Sequence, residues 1–229
     1  MLHLFDITDD ERTCKEYSIF SPTMTIVNEK HRWHGPFTKD QILLMLEDEM
    51  VRPETRPIDQ SDDIVRGDLV TITPESVLQT CTPCIGMDDK GLCYGKSEWI
   101  ADVMKDKGLR HLGYLHFVDG KCVGGAEFLP SKKVPYPIPD KRDDNAFLTC
   151  SYVSSETKDF KSHPLEKLVE DLKEQGFVTL SVAASEHVVL PNGPKAWFER
   201  KGFVDKGVLS KEGLHGAEIH YLQLDLVKG

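Results

Sequence analysis

The spacing of apolar residues predicts an α/β protein from residue 68 onward. Strands of the buried type, rich in β-branched and apolar residues, are predicted for LVTIT, AFLTCSYV and FVTLSVAA. Helices with one apolar face are predicted for PESVLQTC, SEWIADVMKDKG and HPLEKLVEDLKEQG. The last of these has apolar residues at i, i+3, i+4 and i+7, namely Leu165, Leu168, Val169 and Leu172.

Turn and capping residues set the limits of these elements. Asp119-Gly120 tolerates the positive φ angles of a tight turn, so LGYLHFVDGKCVGGAEFL is predicted to form a β-hairpin. We expect Ser97 to cap the second helix and Gly108 to end it. The charged and proline-rich stretch PSKKVPYPIPDKRDD is expected to lie on the surface. With a short helix in PNGPKAWFERKGF and two final strands, the predicted order is β-α-α-β-β-β-α-β-α-β-β.

The first 66 residues are predicted to form a separate extension. TMTIVNEKHRWHGPF and TKDQILLMLEDEM have the patterns of two strands and a helix, a ββα unit. Residues 51–66 are charged and proline-containing, which is typical of a linker, so we place the main domain at residues 67–229. SPTMTIVNEKHRWHGPFTKDQILLML weakly resembles the second half of a thioredoxin-like fold. Because no CxxC precedes Pro22, a packing or dimerisation role is favoured over redox chemistry.

Composition and charge exclude several classes of protein. The content of 39% hydrophobic and 29% charged residues is that of soluble globular proteins. No apolar run reaches the roughly 20 residues that span a bilayer, and MLHLFDITDDERT lacks the features of a signal peptide. We therefore expect a cytoplasmic protein without a membrane partner. The net charge of −10 argues against nucleic acid as a partner and fits a cationic amine.

The six cysteines do not predict a metal site. Cys81-Thr-Pro-Cys84 and Cys93 could together supply three zinc ligands. However, a second CxxC is absent from the sequence. Ordinary reduced thiols are therefore favoured, and no metal is predicted.

Four stretches, in this order, resemble the GNAT superfamily of acyl-CoA-dependent N-acyltransferases. They are YLHFVDGKCVGGAEFL, FLTCSYV with the helix HPLEKLVEDL, FVTLSVAA, and PNGPKAWFERKGF. The resemblance extends over residues 68–227 and implies the GNAT fold, with a mixed central sheet and flanking helices. It also implies transfer of an acetyl group from acetyl-CoA to a primary amine of a small molecule or peptide.

The resemblance further assigns residues to the cofactor. The thioester carbonyl would be bound by backbone N–H groups at Ser151, Tyr152 and Val153, which would stabilise an oxyanion. The diphosphate would lie at the start of the next helix, where the family has a glycine-rich loop. KDFKSHPLEKL contains no glycine, so side chains are expected to supply these contacts: Lys158, Lys161, Ser162 and His163. Asn192 corresponds to an asparagine near the pantetheine arm, although helix capping explains it equally well.

Transfer to an amine also requires proton chemistry. A substrate ammonium with a pKa of about 10 must lose a proton before it attacks, so a general base is expected. Glu127 is the first candidate and His116 the second, and a structural role stays open for both. Phe198 stands where the family has a proton-donating tyrosine beside the cofactor. Tyr152 and Ser185 are candidates to replace it, and a CoA thiol with a pKa of about 8.5 can leave without a donor.

Two functions of different classes remain open on the sequence alone. The first is an acetyl-CoA-dependent N-acetyltransferase, which the complete order of strands and helices favours. The alternative is a protein of this fold that has lost efficient catalysis and serves as a binding or sensing module. The glycine-free loop and Phe198 favour that alternative. A homodimer formed through residues 1–66 is compatible with both.

Overall fold

A short helix, a strand pair and a second helix form the N-terminal part of the chain. The computed structural model describes residues 3–22, 24–27, 31–34, 39–47, 61–80, 90–153, 157–186, 191–211 and 217–227. Helix α1 (Glu11–Glu16) comes first, then the antiparallel strands β1 (Met24–Val27) and β2 (His31–His34), and then helix α2 (Lys39–Leu46). The predicted ββα unit is confirmed. Helix α1, which begins where Asp10 accepts a hydrogen bond from the Thr13 amide, was not predicted.

The elements from residue 68 onward follow in the predicted order. They are β3 (Asp68–Thr71), α3 (Pro74–Thr80), α4 (Lys90–Lys107), β4 (Gly113–Val118), β5 (Lys121–Pro130), β6 (Asn145–Val153), α5 (Ser162–Glu174), β7 (Thr179–Ser185), α6 (Lys195–Arg200), β8 (Val204–Lys211) and β9 (Glu218–Asp225). The seven strands form one sheet in the order β3-β4-β5-β6-β7-β9-β8. The predicted α/β class, with a mixed sheet and flanking helices, is confirmed.

The chain divides into two compact units. The first comprises residues 1–59, 130–147 and 178–229, and the second comprises residues 60–129 and 148–177. The boundary predicted at residue 66 from composition alone stays a prediction. Among the described residues, no helix is both long and apolar enough to cross a membrane.

In the second unit, α5 packs on β4 through the predicted apolar face. Leu165, Leu168 and Leu172 are buried, and full burial of one such side chain stabilises a fold by about 1.5–3 kcal/mol. The hairpin of β4 and β5 turns at Asp119 and Gly120, whose φ angles of 50° and 72° match the predicted tight turn. The hairpin register places Gly113 opposite Glu127 and His116 opposite Gly124.

The predicted start of the second helix was wrong. α4 begins at Lys90, so Ser97 lies inside the helix rather than at its N-cap. The Ser97 hydroxyl donates a hydrogen bond to the Pro74 carbonyl (2.9 Å) and so joins α4 to α3. A tertiary contact thus uses the side chain that resembled a local cap. The predicted end is confirmed, because Gly108 has a φ of +63° directly after the helix.

The first unit contains the proline-rich stretch, and its predicted surface position was wrong in part. Val134, Tyr136 and Ile138 are buried, and the Tyr136 ring packs edge-on against Phe147 at 5.7 Å between ring centroids. These apolar residues alternate with prolines, so an extended backbone can turn one side of the stretch towards the core. The charged residues Lys132, Lys133, Arg142 and Asp143 are exposed, as predicted.

Candidate active site

Both carboxylate oxygens of the first candidate base, Glu127, have a hydrogen-bond partner. Lys96 of α4 donates to Glu127 Oε2 at 2.5 Å, and the Thr149 hydroxyl of β6 lies 3.1 Å from Glu127 Oε1. The side chains of Glu127 and Lys96 are 16% and 25% exposed, so the ion pair is partly shielded from water. The site is therefore a fixed carboxylate that already binds a primary ammonium group.

The second candidate base, His116, lies on the other face of the sheet. It is fully buried, and its Nδ1 lies 3.0 Å from the Phe160 carbonyl oxygen. Since His116 pairs with Gly124 and side chains alternate along a strand, it cannot share a face with Glu127. Its ring packs against His163 instead, with 5.2 Å between the ring centroids. The two candidate bases are thus not brought together.

The backbone assigned to the thioester carbonyl lies at the end of β6. Ser151, Tyr152 and Val153 are its last three residues, and Ser151 is buried. Ser151 follows Thr149 by two residues, so it lies on the face of β6 that meets Glu127. The side chains of Tyr152 and Val153 lie outside the described part of the structure.

The residues assigned to the diphosphate lie in the loop before α5 and in its first turn. Lys158 forms an ion pair with Asp63, and His163 Nδ1 accepts a hydrogen bond from the Gly67 amide at 3.4 Å. Ser162 donates its hydroxyl to Asp159. Lys161 is fully buried, and this burial lowers its pKa to about 7 against the opposing effects of Asp159 and Cys150.

Asn192 and Phe198 belong to the first unit. The Asn192 side chain donates to the Ala183 carbonyl at 3.3 Å, and Asn192 itself has a φ of 48°. Phe198 is fully buried and packs edge-on against Trp197 and Phe203, at 4.9 and 5.2 Å between ring centroids. Phe198 is therefore an aromatic core residue of the first unit.

The partners of the candidate residues were not predicted from the sequence. Lys96, Thr149 and Asp63 are far from them in the chain, so no local pattern indicates the contacts. Asp159 could have been found, because an aspartate shortly before a helix is a common capping signal. The sequence Cys81-Thr-Pro-Cys84 lies outside the described residues. In the described ranges, no group of three or more His, Cys, Asp or Glu side chains could hold a metal ion.

Comparison with known proteins finds similarity among solved structures. No protein-family model and no curated protein matches the chain. An N-acetyltransferase from Staphylococcus aureus Mu50 is 14% identical with a TM-score of 0.48, covering 71% of this chain and 99% of that chain. A ribosomal-protein-alanine N-acetyltransferase from Brucella melitensis is 17% identical with a TM-score of 0.47, covering 69% and 99%.

An aminoglycoside 6'-N-acetyltransferase complexed with coenzyme A is a third similar structure. It is 10% identical with a TM-score of 0.45, and the match covers 69% of this chain and 97% of that chain. With identities of 17% or less and TM-scores of 0.48 or less, the function has to be argued from the chain's own residues.

Proposed function

We propose that the chain is an N-acetyltransferase of the GNAT superfamily that moves an acetyl group from acetyl-CoA to a primary amine. The observation that carries this proposal is the ion pair of Glu127 with Lys96. A carboxylate that holds an alkylammonium at 2.5 Å can also bind the ammonium of a substrate and accept its proton. The amine would belong to a small molecule or a peptide.

The chemistry needs one base and one set of backbone donors. Glu127 takes a proton from the substrate ammonium, directly or through water, and the free amine attacks the thioester carbonyl. N–H groups at Ser151, Tyr152 and Val153 would stabilise the oxyanion that forms. The oxyanion then returns to a carbonyl as the C–S bond breaks, the nitrogen that keeps the acetyl group loses its second proton to water, and the thiolate leaves and is protonated by solvent. Glu127 releases its proton to solvent and is ready for the next turnover. A thiol with a pKa of about 8.5 is a competent leaving group without an acid, which accommodates Phe198.

Binding of acetyl-CoA is the first test of this proposal. A ligand that binds only the folded chain stabilises it by about 2.7 kcal/mol at a hundredfold excess over Kd. We therefore expect acetyl-CoA to raise the melting temperature by an amount that grows with its concentration. ATP at the same concentration is the control for unspecific anion effects. If neither acetyl-CoA nor a longer acyl-CoA shifts the melting temperature at millimolar concentration, the proposal is wrong.

The binding or sensing module is the second candidate, and the burial of Phe198 favours it. If Phe198 has only a packing role, Phe198→Tyr places a hydroxyl in the core and lowers the free energy of unfolding by about 1–3 kcal/mol. We expect no gain in turnover from this variant. The control is Phe177→Tyr, because Phe177 is only half-buried and a hydroxyl there can reach water. A tenfold or larger rise in kcat for Phe198→Tyr would instead place residue 198 at the reacting thiol.

A further inference from the structure

The start of α5 is already occupied by a carboxylate of the chain itself. Asp159 Oδ1 accepts the backbone N–H groups of Lys161 and Ser162, each at 2.9 Å, and Asp159 Oδ2 accepts the Ser162 hydroxyl. Asp159 is only 2% exposed. The N–H groups at a helix start are the donors that a phosphate would use. Here they are bound to a fixed negative charge.

The remaining donors at this helix start are few. Pro164, at the third position of α5, has no N–H group to offer. The Leu165 amide donates to the Lys161 carbonyl as part of the helix. This leaves the His163 amide as the one N–H of the first three helix positions that Asp159 and proline do not remove. One amide beside a carboxylate is a poor site for a diphosphate, which carries several negative charges.

Side chains that could bind a diphosphate instead are held by a segment of residues 63–67, which we call the strap. The Val65 amide donates to the Asp159 carbonyl at 3.1 Å, and the Asp159 amide donates to the Asp63 carbonyl at 2.9 Å. Asp63 also pairs with Lys158, and Gly67 donates to His163. Two of the four side chains assigned to the diphosphate are therefore bound to the strap.

Charges around the strap oppose a further anion. Arg66 of the strap is paired with Glu166 of α5 at 2.8 Å, so its charge is matched as well. Lys161 is buried among protein atoms rather than directed to solvent. Burial, together with the nearby Arg66 guanidinium, lowers the pKa of His163, so its ring is neutral near pH 7. Around the start of α5, each exposed cation named here has a carboxylate partner, and Asp159 adds a further negative charge.

We propose that Asp159 makes this chain recognise its acyl donor through the pantetheine thioester and not through the diphosphate of CoA. The inference rests on the proposed acetyltransferase function and specifies its donor. Acetyl-CoA is still a substrate, but the nucleotide end adds little to its affinity. S-acetylpantetheine, which carries the same thioester without the diphosphate, should therefore bind about equally well.

Titration calorimetry with both donors tests this directly on the unaltered protein. We expect the Kd values of acetyl-CoA and S-acetylpantetheine to agree within about fivefold, because contacts between exposed charges usually change a Kd by no more than that. Inorganic diphosphate should not change the melting temperature. If acetyl-CoA binds more tightly than S-acetylpantetheine by more than about fivefold, the inference is overturned and the proposed function stands. If neither thioester binds, the proposed function itself fails.

Asp159→Asn tests the role of the charge. The amide oxygen of asparagine can still accept from Lys161 and Ser162, so the helix start is kept while the negative charge is lost. We expect the affinity for acetyl-CoA to rise about tenfold while that for S-acetylpantetheine stays unchanged. Asp119→Asn is the matched control, since an Asn-Gly turn suits the same hairpin. An unchanged ratio of the two affinities in Asp159→Asn would overturn the assignment to Asp159.

Discussion

Glu127→Gln is expected to lower kcat/KM for acetyl transfer by about a hundredfold to ten-thousandfold near pH 7, the usual contribution of a general base. Glutamine keeps the side-chain oxygen that faces the Thr149 hydroxyl, so the strand pairing at this point should persist. What it loses is the ability to accept a proton from the substrate ammonium. Release of CoA can be followed with a thiol reagent over a panel of diamines, polyamines and short peptides.

The pH dependence separates this role from a structural one. As the pH approaches the amine pKa of about 10, the substrate is increasingly unprotonated and needs no base. The loss in Glu127→Gln should therefore shrink steadily from pH 7 to pH 10. Glu98→Gln, an exposed position on the helix that carries Lys96, is the control and should keep full activity. A loss of the same size at every pH would show that Glu127 is not the base.

Elements whose sequence pattern lies entirely within the element could be predicted from the sequence. The hairpin at Asp119-Gly120 depends on two residues that tolerate positive φ, and α5 depends on the spacing of its own leucines. Both signals lie within a single element, so no knowledge of the rest of the fold was needed. The start of α4 shows the limit of this reasoning. Ser97 has the residue type of a cap, but its hydroxyl is used by α3.

The contacts around the candidate site could not be predicted from the sequence, because they join residues that only tertiary packing brings together. Glu127 could be named as a base from its strand, whereas its partner Lys96 is brought to it only by the packing of α4. The four residues assigned to the diphosphate were chosen for residue type and position. The structure shows that Asp63, Asp159 and Gly67 already bind three of them, and one of these partners, Asp63, comes from a stretch with the composition of a linker. The roles of Glu127, His116 and the cofactor residues stay predictions.

Helix α5 contributes both to the position assigned to the diphosphate and to the stability of the second unit. Asp159 lies just before the first turn of α5, and the last turn carries Asp171, a buried carboxylate that ties α5 to the strand of His116. Asp171 Oδ2 accepts from the Tyr114 hydroxyl and lies 3.1 Å from His111 Nε2. Asp171 Oδ1 pairs with Lys167 at 2.9 Å. Since α5 packs on β4 through this cluster, its loss should loosen the helix whose first turn is proposed to select the donor.

Asp171→Ala is expected to lower the free energy of unfolding by about 3–5 kcal/mol, because it leaves buried polar groups without their charged partner. Tyr114 is 6% exposed and His111 is 5% exposed, so water cannot readily replace the carboxylate. Urea unfolding at pH 7, followed by circular dichroism, measures the change. The control is Glu170→Ala on the same helix, whose side chain is 67% exposed and should contribute less than about 0.5 kcal/mol.

Acid should weaken the native chain in two stages. Burial lowers the pKa of His111 although Asp171 opposes it, so the stability from neutral His111 is complete above about pH 6.5 and falls below it. Burial raises the pKa of Asp171, but hydrogen bonds from Tyr114 and Lys167 outweigh this and hold it below its ordinary value. The stability that the ionised Asp171 carboxylate provides is complete above about pH 3.9, and it is lost as the pH falls through the lowered pKa of Asp171. The stability difference between native protein and Asp171→Ala should therefore persist from pH 7 to pH 5 and narrow below about pH 4, where the carboxylate becomes protonated. A difference that is the same at pH 7 and pH 3 would show that the carboxylate charge does not stabilise this cluster.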